Sequence, residues 1–301
     1  MTQPLSLQQT RTAANLVGIA AMVGSSAAFV ANDTFVKQLS GALPLGEIIT
    51  LRNVSAAALL VLYGFATGTL TAPAKSAYRA IGSRMIGDIG GTVFFLAGLM
   101  LMPIGEATAL GQMTPLALTA AAAILYHEPV GWRRWLATVV GLIGVLMIVR
   151  PGTAAFTPAA FLIIASVAFV VMRDLATRRT AADVSTTVIA ATSVGATIAA
   201  GLAMWPGETW VWPSAEQMLF AIASGLALAI GHLLVIKAMR TGDVATVGPF
   251  RYSLILFALI SGWVFWRQWP DGVQMLGIAI LTFAGAYAVH RERRIAAAPA
   301  V

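Results

Sequence analysis

Residues 242–268 read GDVATVGPFRYSLILFALISGWVFWRQ, a membrane-length apolar segment broken near its start by Gly248-Pro249 and carrying Arg251 within it. Residues 105–128, GEATALGQMTPLALTAAAAILYHE, match it at an offset of 137: Gly105 aligns with Gly242, Glu106 with Asp243, Gly111 with Gly248 and Pro115 with Tyr252. A further match, at an offset of 140, places Ala28-Phe29-Val30 on Ala168-Phe169-Val170. The chain therefore reads as a duplication, with repeats over 1–150 and 151–301 that meet at Arg150-Pro151-Gly152.

The composition sets the class. Hydrophobic residues make up 58% of the chain and charged residues 10%, with a mean hydropathy of +0.83; a soluble domain carries about 25% charged residues. This is the profile of an all-α integral membrane protein. A helix needs about 20 apolar residues to cross a bilayer, so 301 residues hold about ten spans and no sizeable soluble domain. The apolar run after Arg11 is expected to be a retained first helix, because it exceeds a signal-peptide core and more spans follow.

Several chemistries are disfavoured. There is no cysteine, which removes disulfides, thiolate metal sites and cysteine nucleophiles. The three histidines, His127, His232 and His290, sit on separate segments, and Gly131 stands where a second histidine would complete a zinc motif after His127-Glu128. No glycine-rich phosphate loop of the ATPase type is present. We therefore expect no metal, no cofactor and no enzyme. A channel is less favoured than a carrier, since no selectivity loop or charged ring is visible.

The net charge of +7 does not point to nucleic acid, because the basic residues sit singly at span ends. They follow orientation instead. With ten spans and an inside amino terminus, fourteen of the nineteen lysines and arginines fall on one side, namely Arg11, Lys75, Arg79, Arg84, Arg133, Arg134, Arg173, Arg178, Arg179, Lys237, Arg240, Arg291, Arg293 and Arg294. Lys37, Arg150 and Arg267 fall on the other, and Arg52 and Arg251 lie within spans. The positive-inside bias places both termini in the cytoplasm. Each repeat has five spans, an odd number, so the second enters from the opposite face. Two inverted five-helix repeats are the build of many alternating-access carriers, whose sites lie at mid-membrane where interrupted helices meet.

Polar groups inside spans mark the candidate pathway, since an ionised side chain at mid-membrane costs at least about 2.5 kcal/mol. In span one, Asp33 and Lys37 lie one turn apart next to Asn32, and an interfacial pair with Lys37 reaching outward is an alternative to a site. Span two carries Glu47, Arg52 and Asn53, and span three carries Asp88 ahead of Phe94 and Phe95. Gln112 and Pro115 sit in span four, and His232 and Lys237 in span eight. At offset 140, Asn32 and Asp33 become Met172 and Arg173, so the repeats diverge where polar groups sit.

The order of Asp33 and Lys37, Pro44 and Arg52, Pro115 and Glu128, and then GDVATVGPFRY resembles the ten-helix EamA-type members of the drug/metabolite transporter superfamily, across nearly the whole chain. The resemblance implies that spans one to four and six to nine enclose a central cavity, with the fifth and tenth peripheral. It also implies a bacterial inner-membrane secondary transporter, most like exporters of amino acids and related metabolites; import or exchange of a vitamin, nucleoside derivative or cationic drug is the alternative. Where the family usually places an acidic residue, Glu128 stands in the first half and Gln268 in the second. The partners expected are the lipid bilayer and a small-molecule substrate, with a monomer as the working assumption. On this reading Arg251, with Arg52, Lys237 or His232 as a second cation, meets a substrate carboxylate. Phe94, Phe95, Phe250 and Tyr252 form an apolar wall with Gln112 nearby, and Gly111, Pro115, Gly248 and Pro249 let helices bend. Asp33, Glu47 or Asp88 carries a coupling proton, because burial favours the neutral carboxyl.

Overall fold

The computed structural model describes residues 5–69, 77–126, 131–151, 153, 158–178, 186–241 and 244–296. Of the residues singled out above, Lys75, His127, Glu128, Gly152, Arg179, Gly242 and Asp243 lie outside them, as do the side chains of Arg11, Arg134, Arg178, His290, Arg291, Arg293 and Arg294.

The described residues form twelve α-helices and no strand: α1 Leu5–Leu39, α2 Leu45–Ala66, α3 Tyr78–Leu101, α4 Ile104–Gly111, α5 Thr114–Tyr126, α6 Trp132–Val149, α7 Ala160–Arg178, α8 Thr186–Met204, α9 Ala215–Thr241, α10 Val244–Val247, α11 Ser253–Trp266 and α12 Gly272–Ala296. Seven segments are long and apolar enough to cross a membrane alone, and two shorter apolar helices, Trp135–Val149 and Gly272–Tyr287, add to them. The remaining crossing is α7, whose second half carries Arg173 and Asp174. Apolar side chains face outward along the helices, as Phe65 and Phe283 do. A bilayer explains such a surface.

Spans four and nine are both discontinuous, and at aligned positions. In the first repeat α4 ends at Gly111, and the Gln112 N–H closes onto the carbonyls of Thr108 (3.3 Å) and Ala109 (3.0 Å). The chain restarts as α5 with Pro115 in its first turn, where the missing N–H is no loss. In the second repeat the short α10 runs into a 3-10 turn, Gly248–Tyr252, with Pro249 near its start, before α11 begins.

The helices pair across the repeats. The first span of each repeat packs along the third span of the other, α1 on α9 and α7 on α3, while α2 meets α8 and α6 meets α12. A two-fold axis lying in the membrane plane generates this set of contacts, and it is the axis that inverted repeats require. The two self-paired contacts close glycine to glycine. A Cβ added at Gly46 would stand 2.8 Å from the Gly201 carbonyl, and one at Gly277 would stand 2.8 Å from the Gly144 carbonyl. Only a residue without Cβ permits such approach.

Burial is uneven along the axis. At the end away from the basic loops, every residue from Ile104 to Leu110 of α4 is buried, and Leu39, Ile48, Ile49, Leu99 and Ile163 belong to the same apolar core. Toward the basic end, only Leu60 and Gly64 are buried in the last two and a half turns of α2. The bundle is more tightly packed at one end than at the other.

Candidate functional site

Two polar clusters lie inside the bundle, one on α1, α2 and α9, the other on α7, α8 and α3. In the first, Asn32 is the hub. Its Oδ1 accepts from Arg52 Nη1 at 3.3 Å and from Ser224 Oγ at 2.8 Å, while its Nδ2 donates to Asp33 Oδ1 at 2.8 Å. Arg52 is 4% exposed and Asp33 8%, and no direct ion pair joins them among the described residues. The Arg52 Nε has no partner.

In the second cluster the carboxylate sits on α3. Asp88 faces Arg84 at 3.5 Å and Arg173 at 3.5 Å, and accepts a short hydrogen bond from Ser193. Arg173 also pairs with Asp174 at 2.9 Å. Arg173 thus lies within α7, paired inside the bundle, although the charge pattern groups it with the inner side. Its alignment with Asp33 was the signal in the sequence: a position that holds a charge in both repeats belongs to the interior.

Near the second cluster stands Arg251, at the fourth position of the 3-10 turn. Its carbonyl accepts from Ser26 Oγ on α1 at 3.4 Å, which ties the turn to the first repeat. Its side chain is exposed yet within electrostatic reach of Arg173 and Asp174, so it faces an opening inside the bundle. No carboxylate pairs with it among the described residues. His232 lies within reach of Arg173, Asp88 and Arg52. Its Nδ1 donates to the Leu228 carbonyl at 2.8 Å, and Phe29 meets its ring edge-on at 5.2 Å. A carbonyl only accepts, so Nδ1 holds the hydrogen and Nε2 is left as the outward group. Phe94 stacks on Phe169 at 5.4 Å, and Phe250 is 41% exposed.

Other expected residues are placed elsewhere. Lys37 does not pair with Asp33 or reach outward. Its Nζ donates to the carbonyls of Leu99 and Met102, each at 2.8 Å, and lies 5.7 Å from the Trp266 ring. A cation at the C-terminus of α3 satisfies its orphan carbonyls and complements the helix dipole. Tyr252 is buried against α12, where a Cβ at Gly285 would collide with its ring; the 3-10 turn points it away from Arg251 and into the core. Phe95 packs into that core beside Gly111. Gln112 is buried at the break between α4 and α5, while Lys237 is exposed near the end of α9. Glu47 accepts from the Val211 N–H at 3.2 Å.

One contact went unforeseen. Glu208, in the loop after α8, accepts the Gly46 N–H with both carboxylate oxygens at 3.0 Å and the Trp210 indole N–H at 3.0 Å. It caps the N-terminus of α2, where an anion is favoured, and so latches the second repeat over the first at the more tightly packed end. In the sequence it was hidden within PGETWVWPSAEQ, which reads as an interfacial aromatic loop; Trp212, 95% exposed, fits that reading.

Comparison with known proteins places this arrangement. A solved crystal structure aligns over 94% of this chain and 99% of its own, with a TM-score of 0.64 at 22% identity, which shows a shared fold. The S-adenosylmethionine uptake transporter of Rickettsia felis is 25% identical over 93% of this chain and 94% of its own. The riboflavin transporter of Rhizobium johnstonii is 27% identical over 70% of each chain, and a pseudopaline exporter of Pseudomonas aeruginosa is 24% identical over 92% of this chain and 97% of its own. Residues 16–150 and 157–290 each match one model, and on that match the chain belongs to the EamA-like transporter family.

Proposed function

We propose that this multi-pass inner-membrane transporter carries small metabolites that join an α-amino acid group to a flat ring, a class spanning aromatic amino acids and nucleoside-linked amino acids such as S-adenosylmethionine. The observation that carries this reading is Arg251, an exposed guanidinium inside the bundle with no carboxylate partner among the described residues. A guanidinium binds a carboxylate through two parallel N–H donors. Asp174 lies within electrostatic reach of it and suits an ammonium or sulfonium group, and the Phe94–Phe169 stack with Phe250 supplies a surface for the ring. The discontinuous fourth and ninth spans give the site hinges at Gly111 and Gly248. Positive-inside bias makes the looser end cytoplasmic, and the latched end then opens when the halves rock.

Counterflow in liposomes tests this with labelled tryptophan, S-adenosylmethionine and riboflavin. Saturable exchange of one of the two amino acid compounds is expected, with Arg251→Ala lowering it at least ~10-fold, as the loss of a charge-assisted hydrogen bond of about 1.5–3 kcal/mol implies. Arg251→Lys should fall between, because lysine lacks the planar fork. Wild-type rates in both variants would end the carboxylate assignment. Riboflavin has no carboxylate, so riboflavin exchange indifferent to Arg251 would instead favour the aromatic surface as the site.

A further inference from the structure

Four described carboxylates are buried in the first repeat; Glu106 lies at the start of α4 beside Gln274 of α12, and the surroundings of the other three differ. Glu47 stands in the first turn of α2 and accepts the Val211 N–H. Asp88 is neutralised by Arg84 and Arg173 and bonded by Ser193. Asp33 alone of the three has neither a backbone N–H nor a direct cation among the described residues. Its one bonded partner is the Asn32 amide, and Asn32 stands between it and Arg52.

We propose that Asp33 is a proton-binding site within the membrane and that its proton is the coupling ion of transport, with Asn32 linking it to Arg52 and to the other repeat. The coupling half of this rests on the transport reading above; the binding of the proton does not.

Protonation converts a carboxylate to a carboxylic acid, with the proton taken from water on one face and returned on the other. The geometry favours it for two reasons. A buried carboxylate with no direct counter-charge bears a desolvation cost that protonation removes. The asparagine is also wired to the moving parts, since its Oδ1 and its carbonyl accept from Ser224 at 2.8 and 3.3 Å, and Ser224 belongs to α9 of the second repeat. When Asp33 loses its charge, the charge-assisted bond from Asn32 weakens, and the α1–α9 contact that must shift during access changes is altered at its centre.

The charged and titratable groups on the elements around α1 leave Arg52 as the one that acts on Asp33. α9 carries Glu216, His232, Lys237 and Arg240, and the His232 ring is held by Leu228 and Phe29. On α3, Arg84 and Asp88 are engaged with each other and with α7. α4 contributes Glu106, the 3-10 turn Arg251 and Tyr252, and α10 and α11 no titratable side chain. Lys37, one turn along α1, is committed to the end of α3.

Infrared difference spectra of the purified protein, recorded as pH is changed without substrate, read the proton directly through the carboxylic acid C=O band. A buried, titrating band is expected in the wild type, kept in Asp88→Asn and lost in Asp33→Asn; in Asp33→Glu it should persist at a shifted frequency. No such band in the wild type, or one that survives Asp33→Asn, overturns the proposal. In liposomes with labelled S-adenosylmethionine or tryptophan, Asp33→Asn should keep counterflow within about twofold of wild type yet lose accumulation driven by a pH gradient. Accumulation by Asp33→Asn equal to wild type rejects the coupling role. If the wild type exchanges neither compound, the transport reading fails while the infrared band still decides the proton site.

Discussion

The two interior clusters occupy corresponding places, α1–α2–α9 and α7–α8–α3, but their charges are exchanged and their saturation is unequal. Where the first repeat has Asp33 on its leading span, the second has Arg173; where the first has Asn53 on its second span, the offset of 140 places Ser193. The second cluster gives its carboxylate two guanidinium groups and a hydroxyl. The first gives its carboxylate a single amide. A saturated buried ion cluster behaves as a fixed joint. An unsaturated one is the place where a proton or a substrate charge can still change something. The inverted repeats therefore hold a fixed joint at one of their two corresponding contacts and an adjustable one at the other.

Removing the carboxylate of the second cluster should give the largest effect. Asp88→Ala takes away the carboxylate shared by Arg84, Arg173 and Ser193, and breaking a buried pair costs about 3–5 kcal/mol. We expect a large drop in melting temperature in detergent, or loss of folded protein. A variant as stable as wild type would show that the second cluster is not a joint.

The hydroxyls give a smaller contrast. Ser193→Ala deletes a bond to a carboxylate, about 1.5–3 kcal/mol, and Ser224→Ala deletes one to a neutral amide, about 0.5–1.5 kcal/mol. Thermal scans should rank the first below the second. Equal losses would remove the distinction in saturation.

Asp33→Asn is expected to change stability by less than about 1 kcal/mol, and in the stabilising direction, because a buried carboxylate with no direct counter-charge carries a desolvation cost that the amide does not. The opposite signs at Asp88 and Asp33 are the strongest form of the contrast. A destabilisation at Asp33 as large as that at Asp88 would mean that the two carboxylates play the same role.

The sequence carried the architecture well because its determinants are local or compositional. Hydropathy and length gave the crossings, and Gly111, Pro115, Gly248 and Pro249 marked the broken spans at the residues where the helices stop. The pairing of charges was less legible, since it depends on which helices touch. Asp33 and Lys37 share a helix face, yet the end of α3 arrives closer to Lys37 and takes it. Arg173 looked like one more basic residue near a span end until α3 brought Asp88 against it. Tyr252 follows Arg251 directly, but one step around a 3-10 turn is about 120°, enough to send the ring to Gly285 on α12. Glu208 became visible only when its loop was seen lying over the start of α2.

A third charged contact lies outside both clusters and provides the mild end of the scale. Asp271 caps α12, accepting the N–H groups of Val273 (2.9 Å) and Gln274 (3.0 Å), while Gln274 Oε1 accepts the Asp271 N–H at 3.1 Å, a reciprocal capping box. Arg150, at the junction of the repeats, donates to the same carboxylate. The Gln274 N–H and then Arg150 hold the Asp271 carboxyl below the usual carboxylate range. A depressed folded pKa contributes stability that is fully present above the unfolded value, near pH 4, and is lost as pH falls through the folded value. The melting temperature should therefore dip slightly as pH drops below about 4, and Asp271→Asn should flatten that dip while leaving the neutral-pH behaviour of both interior clusters unchanged. The dip should be small, because the side chain is half exposed and surface ion pairs contribute little. If Asp271→Asn instead matched Asp88→Ala in its cost at neutral pH, burial would not be what separates a joint from a surface contact, and the contrast between the two repeats would need another cause.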